Sequence, residues 1–437
     1  MHRLITKAKQ TVDQAELYWK RERNLSVRYE NYNLAQIVEN DLSSVALRVI
    51  DHGKSGATFG VSPDQENLLE QAKQAAQYGD KASSSFASNA AYPEVANHDP
   101  ATTALTSDDL VALCEDVKAK VKKVRPDVAL FLAAEASTTQ LVVETTEGAV
   151  GDNTATEASV VFGAPIKGAG MGVYKAAESI SPQTTPEDLI ADFDEWYGWT
   201  EKTSTPSTGK LPVLFAPEAS FLYLLPLASG LAGGAIVKKT SPLVDRVGAQ
   251  ILSDKLTILD DPLRDGDSAS RPFDDEGTPC QRRTLIDRGV LTGYLLDQST
   301  GQALGVPSTG NAVKRELFGG GTETSPSPWP INFVVEQGEV SYRDLIADLD
   351  EGLLITHGLG FHSGNYPQGQ FSVQAVGYHI VNGKVVGRLI KTMISANIYE
   401  DFKNVRALSS EHRAGMMGLL GGITPYILVD SIQVAGA

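Results

Sequence analysis

Phe371–Ile390 reads FSVQAVGYHI-VNG-KVVGRLI, two apolar, β-branched runs on either side of Asn382-Gly383. Both central residues of a two-residue hairpin turn must take positive φ, which Asn and Gly tolerate, so the stretch predicts a tight antiparallel hairpin. Working outward, Arg283–Asp297 repeats the pattern around Asp287-Arg288-Gly289, and strands are expected near 331–336, 353–357 and 425–434. Helical spacing is confined to about 217–231, 341–349 and 396–403. Everything after residue 210 therefore reads as a mostly antiparallel β domain with few helices.

Upstream of that domain, Lys202–Lys210 (KTSTPSTGK) has the composition of a linker. It separates an N-terminal domain, 1–201, from a C-terminal one, 211–437, with a subdivision of the first near 80–106, where Ala, Ser, Asn and Thr show no period. Residues 1–23 place Leu4, Ala8, Val12, Ala15 and Trp19 at helical spacing. The period then changes: 25–29 and 45–50 alternate, Asp51–Lys54 turns, and Ala57–Gly60 returns as a hairpin. Ser62 or Asp64 can cap a helix over 64–78, and another is expected from Ser107 to Lys123. Strands follow at 128–134, 138–145 and 156–173, with a turn at Glu147-Gly148, and a helix near 185–197 closes the half. The fold class is α+β: an N-terminal α/β-type domain with a mixed sheet and helices, then the β-rich domain.

Composition narrows the function. The chain has 437 residues, enough for two cores, with 38 Lys+Arg against 54 Asp+Glu and a net charge of −16. Gripping phosphates requires a basic surface, so direct nucleic-acid binding is disfavoured, as is an anionic membrane surface. Ala219–Val237 is uncharged, but Pro226 and several Gly and Ser dilute it, and it is not read as a span. The polar N-terminus lacks the apolar core of a signal peptide, and a cytoplasmic location is expected. Only Cys114 and Cys280 occur, which excludes a disulfide scaffold and any Cys-rich zinc site. Cys114 reads as a buried helix residue; Cys280, beside Gln281-Arg282-Arg283, has cationic neighbours that make a depressed thiol pKa conceivable.

The residues offer no self-evident chemistry. HExxH, HxxEH and G-x-S-x-G are absent, and the glycines at 230, 233 and 234 lack the frame of a phosphate loop. His357 and His362 stand five apart on a strand and loop, where an extended chain sends them to opposite faces; His379 follows on the next strand. Gly319–Gly321 opens a loop running to Pro330. Asp274-Asp275-Glu276 is the densest acidic cluster of the second half and reads as an exposed turn rather than a cation site.

Several blocks, however, carry a family resemblance: RPFDDEGTP (271–279), TLIDRGVL (284–291), YLLD (294–297), STGN (308–311), GQFS (369–372), Gly377-Tyr378, VNGK (381–384) and ISAN (394–397). In order and spacing they resemble the TldD/PmbA family, the former modulators of DNA gyrase now regarded as metallopeptidases. The N-terminal region is similar more weakly, through AELY (15–18) and the 45–60 hairpin. TldD-like members carry HExxxH on a helix at the start of the second domain and a cysteine ligand near the C-terminus; PmbA-like (TldE-like) members keep the scaffold without them. Here Leu224, Leu225 and Ser229 stand at the three motif positions, Ala219–Val237 contains no His, Asp, Glu or Cys, and no cysteine follows Cys280. Lost with them are the Lewis acid that activates water and the carboxylate that accepts its proton. Pro226 also argues against an unbroken helix there.

The resemblance implies a non-catalytic subunit that binds no cofactor itself. Zinc is expected only in a TldD-like partner, with which the chain would process extended peptides. Peptide-groove or interface candidates are Gly230, Gly233, Gly234, Asp274, Asp275, Asn311 and Asn365. Two other readings stand beside it: an active metallopeptidase using His357, His362 and His379 or the Asp274–Glu276 cluster, and a homodimeric peptide-binding protein.

Overall fold

The computed structural model describes residues 2–315, 320–361, 364–414 and 422–436. Gln14–Glu30 (β1), Asn33–Asp51 (β2), Lys54–Gly60 (β3), Phe131–Thr145 (β4), Val150–Pro165 (β5) and Gly172–Ser179 (β6) form one sheet in the order β3-β2-β1-β4-β5-β6. All five pairings are antiparallel. His52 and Gly53, both at positive φ, make the β2–β3 turn that the sequence marks.

The helices of this half are Arg3–Ala8 (α1), Leu68–Tyr78 (α2), the single turn Pro100–Thr103 (α3), Ser107–Val124 (α4) and Glu187–Trp199 (α5). Thr106 and Asp109 cap α4 reciprocally, each accepting the other's backbone N–H. Leu110, Cys114, Val117 and Val121 then share one face of α4 and pack on Leu25, Val27 and Tyr29 of β1 and Leu132 and Ala134 of β4. On the same side, α2 sets Leu68, Leu69 and Ala72 against Leu17, Val45 and Leu47.

Several boundaries depart from expectation. The helix expected over 1–23 ends at Ala8, and from Gln14 the chain is strand. Ala15, Leu17 and Trp19 point one way at period two, and pairing with both β2 and β4 overrides the coincidental helical spacing. Helix α2 starts at Leu68 because the Ser62 hydroxyl accepts from the Asp64 amide in a local turn, and Asn67 caps without a side-chain bond. The strands expected at 128–134 and 138–145 are one strand, β4. The 156–173 run divides: β5 ends at Pro165, and β6 resumes at Gly172.

In the second half, β8 (Gly209–Phe215) pairs with Glu351–Leu359 in parallel and with Ile427–Gly436 antiparallel. Ile427–Gly436 pairs with Thr392–Asn397, that strand with Gln370–Val381, and Gln370–Val381 returns to Glu351–Leu359. The pairings close into a ring of five strands. Asn382 and Gly383, both at positive φ, join Gln370–Val381 to Lys384–Leu389, so the opening hairpin stands as read. Lys384–Leu389 pairs in parallel with β7 (Thr203–Ser204). The Lys202–Lys210 segment is thus ordered at both ends, and between them Ser207 donates to Glu351.

The helix Phe221–Leu231 (α6) shares one apolar cluster with Phe215, Ile355, Val373, Ile394 and Val429 of the ring strands. Residues of alternate parity on these strands, Leu214, Leu354, Tyr378 and Leu428, belong instead to the cluster that contains α4 and α5. One core therefore draws on both halves. Ala219–Val237 folds as short helices broken at Ala232, and among the described residues no helix is long and apolar enough to cross a membrane.

Candidate functional site

Helix α6 carries Leu224, Leu225 and Ser229, the positions at which the sequence resemblance leads one to expect a metal motif. It runs through Pro226, which has no N–H for the Leu222 carbonyl, yet the helix is unbroken, contrary to expectation. Apolar packing on all sides outweighs the missing bond: every α6 residue except Ser229 is buried. Leu224 and Leu225 are 3% and 1% exposed. The Ser229 hydroxyl donates back to the Leu225 carbonyl at 2.8 Å. Zinc is held by nitrogen, sulfur or carboxylate oxygen. Two leucines and a back-bonded serine are not such a set, so these three residues do not fit a zinc ion.

The glycine candidates gather at the C-terminal end of this helix. At Gly230 a Cβ would stand 2.0 Å from the Tyr399 hydroxyl. The Gly233 amide donates to the Leu295 carbonyl, a Cβ added there would stand 2.5 Å from the Thr300 hydroxyl, and Gly234 faces open space. Asn365 is exposed, and its carbonyl accepts from the Gln368 and Gln370 amides in a tight turn whose residues pack on α6.

Asp274, Asp275 and Asn311 are elsewhere, and here the expected exposed acidic turn is corrected: Asp274, Asp275 and Glu276 are all buried. Asp274 accepts from the amides of Glu276, Thr278 and Ala312 at 2.9–3.0 Å. Asp275 takes Arg271 at 2.7 Å and the Lys314 amide at 2.6 Å. Glu276 accepts from the Gln298 amide at 2.9 Å and from Arg48 at 3.2 Å; Arg48 also makes a two-pronged pair with Glu16 at 2.6 and 2.7 Å. Burial raises the pKa of Asp274 well above the ordinary carboxylate range, and the neighbouring Glu276 charge adds to it. Glu276 is raised by burial and drawn back by Arg48. Asn311 donates to Asp260 at 2.5 Å, and the Ile331 and Asn332 amides donate to the same carboxylate, whose pKa burial pushes up to about 6. The turn is buried rather than exposed because its partner Arg48, with Glu16 beside it, comes from more than 220 residues upstream. Their trace in the sequence is charge inside apolar strand runs, ALRVI (46–50) and AELY (15–18).

His357 and His379 sit in separate settings. His357 lies against the Phe221 ring at 5.0 Å, and burial lowers its pKa. His379 is buried, its Nδ1 within 2.8 Å of the Ser204 hydroxyl and its Nε2 3.3 Å from Glu351. His362 lies outside the described residues. Among the described residues no group of three or more His, Cys, Asp or Glu side chains is placed to hold a metal ion. Cys114 is buried as expected. Cys280 is buried too, and burial raises its thiol pKa, outweighing the opposing pull of Arg271, so the cationic setting does not depress it.

Residues 208–436 match the model of the PmbA/TldA metallopeptidase C-terminal domain, and 15–77 match that of PmbA/TldA metallopeptidase domain 1. The metalloprotease PmbA of Escherichia coli O157:H7 is 30% identical over 242 residues, which cover 54% of this chain and 49% of that protein. A PmbA homologue of Haemophilus influenzae is 29% identical over 239 residues, 53% of this chain and 47% of its own length. The match spans about half the length of these relatives. A TldD homologue of the same organism is 32% identical over 218 residues, 47% of this chain and 44% of the homologue. The fold is that of TldE from Thermococcus kodakarensis, with a TM-score of 0.89, 24% identity and 99% of each chain covered. The first of these matches alone takes in more than half of the sequence, and on that ground the chain belongs to the PmbA/TldD metallopeptidase family.

Proposed function

We propose that this chain is a subunit of a TldD/TldE-type metallopeptidase that does not itself hold the catalytic metal. The carrying observation is α6: at its motif positions Leu224 and Leu225 are buried apolar side chains and Ser229 bonds to its own helix. Without a polarising cation and a proton-accepting carboxylate, amide hydrolysis loses its two principal sources of rate. The working partner is a TldD-like chain; PmbA and TldD relatives both match this sequence, which supports a pairing of the two kinds. In that pairing the present chain contributes a wall of the peptide chamber, with Gly234 and Asn365 on the side toward the peptide, Gly230 and Gly233 packed behind them, and Asp274, Asp275 and Asn311 as a rigid support. The substrates are extended peptides, held by main-chain hydrogen bonds that make no sequence demand.

The test is retrieval of the tagged chain from its native host, followed by peptidase and zinc assays with and without what co-purifies. The expected result is a TldD-like chain bearing HExxxH, with zinc and activity following that chain. Stoichiometric zinc and peptide hydrolysis by the present chain alone would sink the proposal.

A further inference from the structure

A cavity of about 640 Å³ opens between β6 and the strand ring, and none of the Asp274–Glu276 cluster lines it. Most of its wall is apolar: Val161, Ile166, Val173, Leu359, Leu389 and Ile390 among others. Its size and lining are those of small-molecule sites, which pair apolar walls with a few placed polar groups. Gly168–Met171, in the glycine-rich turn between β5 and β6, line it as well.

The charges at this cavity run against the rest of the molecule. In a chain of net charge −16, its lining carries three cations, Lys175, Arg388 and Lys391, and one carboxylate, Glu218. Lys175 pairs with one oxygen of Glu218: the Lys175 side chain is 1% exposed, its Nζ is 2.9 Å from Glu218 Oε1 and it sits over the Trp196 ring, while Glu218 Oε2 is buried with no hydrogen-bond partner among the described residues. Arg388, half-buried, and Lys391, exposed, are left with no ion pair among the described residues. A half-buried guanidinium with no ion pair among the described residues, on the wall of an apolar cavity, has its charge free for an incoming anion.

We infer that this cavity binds an apolar carboxylate, its body between β6 and the ring and its acid group against Arg388 and Lys391. Two sources share that chemistry, a free organic acid and the C-terminus of a peptide with an apolar last residue. The inference does not rest on the subunit proposal, because the ligand is read on this chain alone, and α6 supplies no wall of the cavity.

Calorimetric titration of the full chain with decanoate and with decanamide tests it. Decanoate is expected to bind and decanamide to bind at least about tenfold more weakly. The variant Arg388→Gln/Lys391→Gln is expected to lose about the same factor for decanoate with its thermal midpoint unchanged, since neither side chain has a partner to lose. Ala176→Phe, which fills the cavity from β6, should abolish binding. A leucine-rich tripeptide with a free C-terminus that displaces decanoate, where its amide does not, would identify the peptide as the source; failure to displace it would identify a free organic acid. The inference is overturned if neither decanoate nor the tripeptide binds at millimolar concentration. Equal binding of acid and amide, or binding indifferent to Arg388→Gln/Lys391→Gln, overturns it as well.

Discussion

Replacing Arg48 with alanine deletes the guanidinium that serves Glu16 and Glu276 together. Glu16 is 1% exposed and Glu276 5%, so the variant strands two carboxylates where water does not reach them. Breaking a buried ion pair from one side costs about 3–5 kcal/mol; the Arg48 side chain is 22% exposed, which admits some solvent and favours the lower end, about 3 kcal/mol. With a slope of about 3 kcal/mol per molar urea, the unfolding midpoint should fall by about 1 M. The sign with pH follows from linkage. Burial already raises Glu276 in the folded state, and Arg48 opposes that shift, so its removal raises the carboxyl further. A folded pKa above the unfolded one favours folding at low pH and loses that benefit as pH rises past it. The deficit of Arg48→Ala should therefore be largest near pH 7.5 and shrink as the pH approaches the ordinary glutamate value of about 4.3. Adding Glu16→Ala to Arg48→Ala should recover part of the loss, since one stranded carboxylate goes with it. Urea melts at several pH values measure all of this. A deficit under about 1 kcal/mol at pH 7.5, or one that does not change with pH, would refute the account of a buried network.

Three further outcomes follow from other sites. Placing the family motif on α6 by Leu224→His, Leu225→Glu and Ser229→His should yield no peptidase activity and lower stability by about 4 kcal/mol or more. It removes two buried leucines and buries a carboxylate, and the cysteine ligand is still missing. Turnover of a fluorogenic peptide by that variant would contradict it. Asp260, raised by burial to about 6 against about 3.9 unfolded, stabilises most below its unfolded value and loses about 3 kcal/mol of that contribution as pH rises through 6. Asp260→Asn should flatten the stability profile between pH 4 and 6, and an unchanged profile counts against the assignment. Cys114 and Cys280, both buried with raised thiol pKa values, should ignore a thiol-titrating disulfide reagent in the native protein and react together on unfolding; fast native labelling of either would contradict this.

The parts of this molecule that were legible in its sequence are those set by local rules. Asn382-Gly383, His52-Gly53 and Arg288-Gly289 adopt the positive φ their turns require, and α4 carries its Thr106–Asp109 cap where the apolar stripe begins. Local rules fail where distant pairing decides. Ala8, Val12, Ala15 and Trp19 mimic a helix until β2 and β4 flank Gln14–Glu30 and impose period two. Pro226 ought to end a helix, but a core that surrounds α6 on every side holds it together. The site divides along the same line. The absence of metal ligands on α6 is a matter of composition and can be read directly. The burial of Asp274-Asp275-Glu276 could not, because the neutralising Arg48 arrives on β2 of the N-terminal sheet and hydrophilic residues in series look solvated.

Lys202–Lys210 looks like a tether, yet β7 and β8 at its two ends are both stitched into the sheet of the second half, and Leu214, Leu354 and Tyr378 pack with α4 and α5 of the first. A nick between Pro206 and Ser207 would therefore leave a noncovalent complex rather than two free pieces. Fragments produced separately should be poor soloists and good complements, which makes this loop a place to split the chain for a reassembly reporter.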